Sequence, residues 1–182
     1  IHEQGSLQTT NNVLDLAISG DGFFEVELPS GDSGYTRSGS FQLNENGELV
    51  TIQGSPVQPG FTIPTDAVSI DIAEDGEVFV KTPNNPALTS LGQMTLTDFA
   101  NPGGLEATGN NLFIETAASG SPIEGNPGSE QYGSILQGFL EGSNVDSVTE
   151  ITSLITAQRA YEMNSKVITT SDEMMSTTSQ LR

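Results

Sequence analysis

Residues 13–28 read VLDLAISGDGFFEVEL, and this stretch decides the fold class. Leu14, Leu16 and Ile18 alternate with Asp15, Ala17 and Ser19. That is the period of two expected of a strand, because successive side chains point to opposite faces. Gly20, Asp21 and Gly22 interrupt the rhythm, and Phe23, Phe24, Val26 and Leu28 resume it, so the stretch is a strand, a tight turn and a strand. The same grammar extends outward. Pro29, Ser30, Gly31 and Asp32 form a turn, residues 35–41 a short strand, and Asn46 with Gly47 the type I′ hairpin pair before Leu49, Val50 and Ile52. Val68, Ile70 and Ile72 follow, then Asp75 and Gly76 as a turn, then Val78 and Val80, then Leu91, Met94 and Leu96, and last Leu112, Phe113 and Ile114. Short strands with turn signals about every ten residues predict a mainly β, short-stranded antiparallel domain, a sandwich or open barrel, over residues 13–115. Residues 1–12 are polar and aperiodic and read as a linker. Residues 116–144, with Pro122, Pro127 and many glycines, read as an extended connection returning to the core.

From residue 145 the rhythm changes to a helical one. Val148, Ile151, Leu154 and Ile155 lead into Tyr161, Ile168 and Met175 at sevenfold spacing, with Ala160, Val167, Met174 and Leu181 alongside. There is no Gly or Pro after Gly142, Ser147 and Glu150 can form a capping box, and Asp146 adds acidic charge at the N-terminal turn. Residues 145–182 are therefore expected to form a long C-terminal amphipathic helix of coiled-coil type. Such a stripe needs a helical partner to keep its apolar area from water. Gln158, Ser165 and Asp172 interrupt the stripe and suit a helix seen by several neighbours better than a strict two-stranded zipper.

The chain has 182 residues and a formal charge of −19, from 24 acidic residues against five Lys and Arg. This balance argues against nucleic acid or an anionic membrane as partner. The charge is unevenly placed. Residues 1–144 hold 19 of the acidic residues and only Arg37 and Lys81 as cations, whereas residues 145–182 hold five acidic residues against Arg159, Lys166 and Arg182. A repelling body and a nearly neutral tail fit a tail built for contact. The chain has no cysteine and a single histidine, His2, so neither a thiolate site nor a histidine-based nucleophile or metal cluster can be assembled in one chain. Asp71, Ala73, Asp75 and Gly76 look superficially like a calcium loop, but Ala73 and Thr82 occupy ligand positions and the segment reads as a hairpin turn. Gly20, Asp21 and Gly22 precede a strand and not a helix N-terminus, so they are a turn and not a phosphate cradle. No stretch is apolar and long enough to span a bilayer, and the first residues of the sequence do not have the charged, then apolar, then small-residue layout of a cleavable signal. The reading is of a structural, non-enzymatic protein with no cofactor or metal.

Specific strings then carry a resemblance. Ser143, Asn144, Val145 and Asp146 (SNVD), Gln158, Arg159, Ala160, Tyr161 and Glu162 (QRAYE), and Asn164, Ser165, Lys166 and Val167 (NSKV) resemble the C-terminal signature of flagellar rod and hook axial proteins. GDGFF at 20–24, YTRSGSF at 35–41 and GELV at 47–50 are similar to the β domain of that family. GGLEATGNNL at 103–112, SGSP at 119–122 and GSILQGFLEGSN at 133–144 look most like its distal rod type, with hook and proximal rod proteins as alternatives. The resemblance implies a basal-body subunit that assembles helically with itself into the hollow drive shaft crossing the periplasm. It also implies export by the flagellar type III apparatus without a cleaved signal. Its expected neighbours are proximal rod and hook proteins and the surrounding rings, with no direct membrane insertion. On this mapping Val148, Ile151, Leu154, Ile155, Tyr161, Ile168 and Met175 pack an inner helical layer against an N-terminal helix not present in the sequence. Arg159 and Lys166 would pair with carboxylates on neighbours, and the acidic body would face outward. A reading of a different class is a secreted ligand-binding β module whose helix is a stalk; an acidic hydrolase stands third.

Overall fold

The computed structural model describes residues 4–83, 85–144 and 147–180, leaving aside the side chains at 86, 147, 149, 150, 172, 173 and 176–180. The chain divides into two compact units, Ile1–Gly142 and Ser143–Arg182. The first is built of short antiparallel strands. In chain order these are β1 (Leu7–Thr9), β2 (Leu16–Ser19), β3 (Phe24–Glu27), β4 (Ser33–Thr36), β5 (Phe41–Leu43), β6 (Leu49–Thr51), β7 (Val57–Gln58) and β8 (Ser69–Ile72), continuing with β9 (Glu77–Thr82), β10 (Asn85–Gln93), β11 (Leu96–Asp98), β12 (Glu106–Gly109), β13 (Leu112–Ile114), β14 (Ile123–Gly125), β15 (Ser134–Gln137) and β16 (Phe139–Glu141). A five-stranded sheet in the order β12-β13-β4-β3-β7 is accompanied by the three-stranded β10-β9-β8 and by the pairs β2–β15, β5–β6, β11–β14 and β1–β16. Among the described residues these sheets do not close into a barrel.

One core joins the sheets. Leu16, Ile18, Phe24, Val26, Val78, Met94, Leu96 and Ile135 are buried together in it, and a second cluster holds Phe23, Tyr35, Phe99 and Leu105. The aromatic contacts are edge-on: Phe24 meets Phe41 at 5.2 Å between ring centroids and Tyr35 meets Phe99 at 4.8 Å, the arrangement favoured by the ring quadrupole. Alternation in residues 14–19 predicts a half-buried strand, but Leu16, Ala17 and Ile18 are all 0% exposed. The face carrying Ala17 is therefore covered too. Asp15 on that same face is buried and accepts a hydrogen bond from Asn12 Nδ2 at 3.0 Å.

The turns repeat one device. In residues 28–32, 44–48, 51–55 and 73–77 the first residue accepts from the amide of a glycine three positions on and donates to the carbonyl of the next, at 2.8–3.0 Å. Gly31, Gly47, Gly54 and Gly76 there have φ between 80° and 88°, the left-handed region of a G1 bulge that a side chain would strain. This corrects the sequence expectation for Asn46 and Gly47. A type I′ turn needs positive φ at both central residues, and Asn46 does not have it. The Asn44 side chain decides the geometry instead, its Oδ1 accepting from the amides of Asn46 and Glu48, both at 2.9 Å. The turn of primed type joins β12 to β13, where Asn110 (φ 54°) and Asn111 (φ 61°) sit beyond the Gly109–Leu112 rung. Asn111→Val is accordingly expected to cost about 1–2 kcal/mol in urea unfolding, Asn111→Gly to cost nothing, and Asn46→Ala to stay within about 0.5 kcal/mol.

Two segments read as connections contribute strands. In 1–12, β1 pairs with β16 in the register Leu7↔Glu141 to Thr9↔Phe139; in 116–144, β15 pairs with β2 over four rungs and places Ile135 in the core. Strands of three or four residues, with one buried apolar side chain or none, carry too few positions to display a period.

The second unit contains α1 (Ser147–Gln180), 34 residues long and so about 50 Å at 1.5 Å per residue. The expected capping pair, Ser147 and Glu150, and the expected helical positions Val145, Asp146, Leu181 and Arg182 fall outside the described side chains or residues.

Candidate functional site

Every described side chain of α1 is exposed. The seven expected packing residues, Val148, Ile151, Leu154, Ile155, Tyr161, Ile168 and Met175, are between 44% and 76% exposed, as are Met163, Val167 and Met174 beside them. An apolar surface of this extent is unusual unless another macromolecule covers it. It is not one straight stripe. On a helix of 3.6 residues per turn a sevenfold repeat slips by about 20° per heptad, so Leu154, Tyr161, Ile168 and Met175 trace a slowly winding column. Ala160, Val167 and Met174 trace a second column beside it, and the trio Val148, Ile151 and Ile155 lies on the other side of the Leu154 column. The apolar surface therefore winds partly around the helix, which offers contact to more than one neighbour.

Four threonine hydroxyls and one glutamine of this helix find partners within it. The hydroxyls of Thr152 and Thr156 donate to the carbonyls four residues earlier, at 2.7 and 2.8 Å, Thr169 and Thr170 both donate to the carbonyl of Lys166, and Gln158 Nε2 donates to Glu162 at 3.3 Å. A partner can cover these hydroxyls without stranding a donor. The signature residues Gln158, Arg159, Ala160, Tyr161, Glu162, Asn164, Ser165 and Lys166 are exposed on α1, and Ser143 and Asn144 are exposed ahead of it. Val145 and Asp146, the remainder of that signature, lie outside the described residues. No described helix is long and apolar enough to cross a membrane.

In the body, the strings that carried the resemblance converge on Arg37. Its Nη1 and Nη2 donate to the carbonyls of Gly22 and Gly20, each at 2.9 Å, and Nε donates to Glu141 Oε2 at 2.9 Å. The guanidinium also stands 5.9 Å from the centre of the Phe23 ring. The GDG turn thus holds an arginine with its carbonyls, the opposite polarity to a phosphate cradle. Sequence reasoning passed over Arg37, although a cation is rare in the acidic body and this one stands inside the YTRSGSF string. Asp75 and Gly76 close the β8–β9 hairpin, as their turn chemistry requires. Among the described residues no group of three or more His, Asp or Glu is arranged to hold a metal.

A shallow cleft on the body is lined by Tyr35 and Ile114 with the carboxylates of Glu25, Asp32, Glu115 and Glu124. Burial pushes the Tyr35 phenol up to about 12, and Glu25, Glu115 and Glu124 add to the shift by opposing a second negative charge. The cleft gathers four carboxylates, and Tyr35 is the one aromatic residue that lines it.

Comparison with known proteins agrees with this geometry. Residues 17–80 match the family described as flagellar hook protein FlgE/F/G D1 domain, and residues 136–181 match flagellar basal body rod FlgEFG protein C-terminal. The chain is 54% identical to the flagellar basal-body rod protein FlgG of Caulobacter vibrioides, over all of this chain and 70% of that protein. The chain belongs to the flagellar basal-body rod FlgG family. It is 43% identical to the FlgG of Bacillus subtilis, over 96% of this chain and 67% of that protein. With the FlgF of Escherichia coli the identity is 33%, over 97% of this chain and 71% of the relative. The two family matches fall on the two kinds of structure seen here, strands β2–β9 with the loops between them, and the end of the β body running into α1.

Proposed function

We propose that this chain is a structural subunit of the distal rod of the bacterial flagellar basal body, assembling helically with copies of itself into the shaft that transmits motor torque to the hook. The observation that carries the reading is the likeness to FlgG proteins at 43–54% identity over 96–100% of this chain, stronger than the 33% likeness to FlgF. The exposed winding columns of α1 support it, because they supply apolar area for neighbours on more than one side. In this reading Val148, Ile151, Leu154, Ile155, Tyr161, Ile168 and Met175 pack against neighbouring helices, Arg159 and Lys166 face carboxylates of adjacent subunits, and the QRAYE and NSKV positions keep register. The acidic body faces outward toward the rings, where like charge discourages adhesion to other bodies. The adjoining partners are proximal rod and hook proteins, and the type III export apparatus delivers the subunit across the periplasm without a cleaved signal. The role is mechanical and needs no catalysis or cofactor.

The test is a chimera. The matching 70% of the Caulobacter vibrioides protein is replaced by this chain, and basal bodies are isolated and imaged from cells that lack their own copy. Restored rods with attached hooks are expected. A chimera that is exported intact yet builds no rod, or that ends at the proximal rod, would refute the reading.

A further inference from the structure

We propose that Glu141 is a clip that fastens both ends of the body's chain to its core, and that force passing between the body and the segments flanking it is carried through this residue. The β1–β16 ribbon pairs the first and last described strands of the body. It is a two-stranded sheet of three rungs, marginal as an isolated element. Being antiparallel, it places both outgoing runs at one end, where Gly142 donates its amide to the Ser6 carbonyl at 2.8 Å. A pull on either run opens such a ribbon from that end, one rung at a time, because the hydrogen bonds lie across the strands and do not share the load in parallel. The first rung, Leu7↔Glu141, is therefore the place to hold it shut.

Glu141 occupies that rung and binds in both directions. Its Oε1 accepts from the Gly5 amide at 2.7 Å, two residues ahead of β1, while its Oε2 takes Arg37 Nε at 2.9 Å. Arg37 and Glu141 side chains are only 15% and 10% exposed, so the pair is little screened by water. Arg37 in turn grips the Gly20 and Gly22 carbonyls in the turn between β2 and β3, two strands whose Leu16, Ile18, Phe24 and Val26 stand in the hydrophobic core. Gln4 adds a second fastening in the run that enters β1, its Nε2 donating to the Ile18 carbonyl and its Oε1 accepting from the Gly20 amide, each at 3.1 Å. One carboxylate thus ties the run that enters β1, the leaving strand and the body together.

The structural arm of the test does not depend on the rod reading. In the full chain, Glu141→Gln and Arg37→Lys are each expected to speed amide hydrogen exchange in residues 5–9 and 139–142 by roughly 10- to 100-fold, with peptides from β3, β4, β8 and β9 unchanged. Unchanged exchange in the ribbon for both variants overturns the clip, and so does a uniform rise across the whole body, which would make the pair a general stabiliser. The mechanical arm uses the chimera described above, swimming in media of rising viscosity. Chimeric cells carrying Glu141→Gln are expected to stop at a viscosity at least twofold lower than cells with the unaltered chimera. Equal performance at every viscosity would show that force does not pass through Glu141, whereas failure of the unaltered chimera itself would count against the rod reading alone.

Discussion

Gly39→Ala is expected to leave no stably folded body, a loss of about 5 kcal/mol or more in urea or thermal unfolding. A Cβ on Gly39 would land inside the carbonyl group of Leu16. The two backbones already touch there, with the Leu16 amide donating to the Gly39 carbonyl at 2.9 Å. Neither side can give. Leu16 is 0% exposed and packed in the main core, and on the other side of Gly39 the chain is held by the Asp15↔Ser40 bridge and the burial of Phe41. Close-packed interiors transmit such a displacement and do not absorb it. Gly60→Ala is the matching control: no atom lies within 4 Å of its added Cβ, and the change is expected to stay within about 0.5 kcal/mol. A Gly39→Ala variant that unfolds at the same denaturant concentration as the parent would contradict the packing described.

The double variant Leu154→Asp, Ile168→Asp is expected to have the opposite profile. The body should unfold at the same temperature as the parent, while rods counted per cell in the chimera fall by at least tenfold. Both side chains lie in the same winding column and are more than 60% exposed, so their replacement removes little from the isolated chain. In an assembled rod each carboxylate would be buried among apolar side chains, at about 2 kcal/mol or more apiece, repeated in every subunit. Leu154→Met with Ile168→Met keeps volume and polarity and should keep assembly. Normal rod numbers with the aspartate pair would mean that this column does not pack in the rod.

The two predictions fall on parts of the chain that differ in how readable they are. The helix and the mainly β class follow from short-range rules: a strand repeats every two residues, a helix about every 3.6, and each period appears within a dozen residues of Val13 or Val148. The glycine turns are equally local, since the fourth position of each loop needs positive φ whatever surrounds it. Even so, Asn46 and Gly47 do not form the type I′ turn that their pairing predicts. The Asn44 side chain selects the loop there, while the pair with positive φ at both residues is Asn110 and Asn111.

The winding of the apolar surface on α1 is also implicit in the sequence, through the mismatch between seven residues and two helical turns, but it reads as a single stripe until the residues are set on a helix. The family strings gave the resemblance without the reason for it. YTRSGSF matters physically because Arg37 reaches two glycine carbonyls and Glu141 while Gly39 lets two backbones touch, and none of these partners is near in sequence.

What this sequence determines by itself is the local conformation: short strands, bulged glycine turns, and one long uninterrupted helix whose apolar repeat calls for a partner. Tertiary structure alone decided that residues 7–9 pair with 139–141, that Ile135 belongs to the core, that Ala17 is buried opposite Leu16, and that an arginine and a glutamate 104 positions apart close the ends of the body. The physical reason is separation along the chain. Local preferences act over a few residues and leave a period behind. A three-residue strand or a single ion pair has its energy in a partner more than a hundred residues away, and no pattern within either segment records which partner that is.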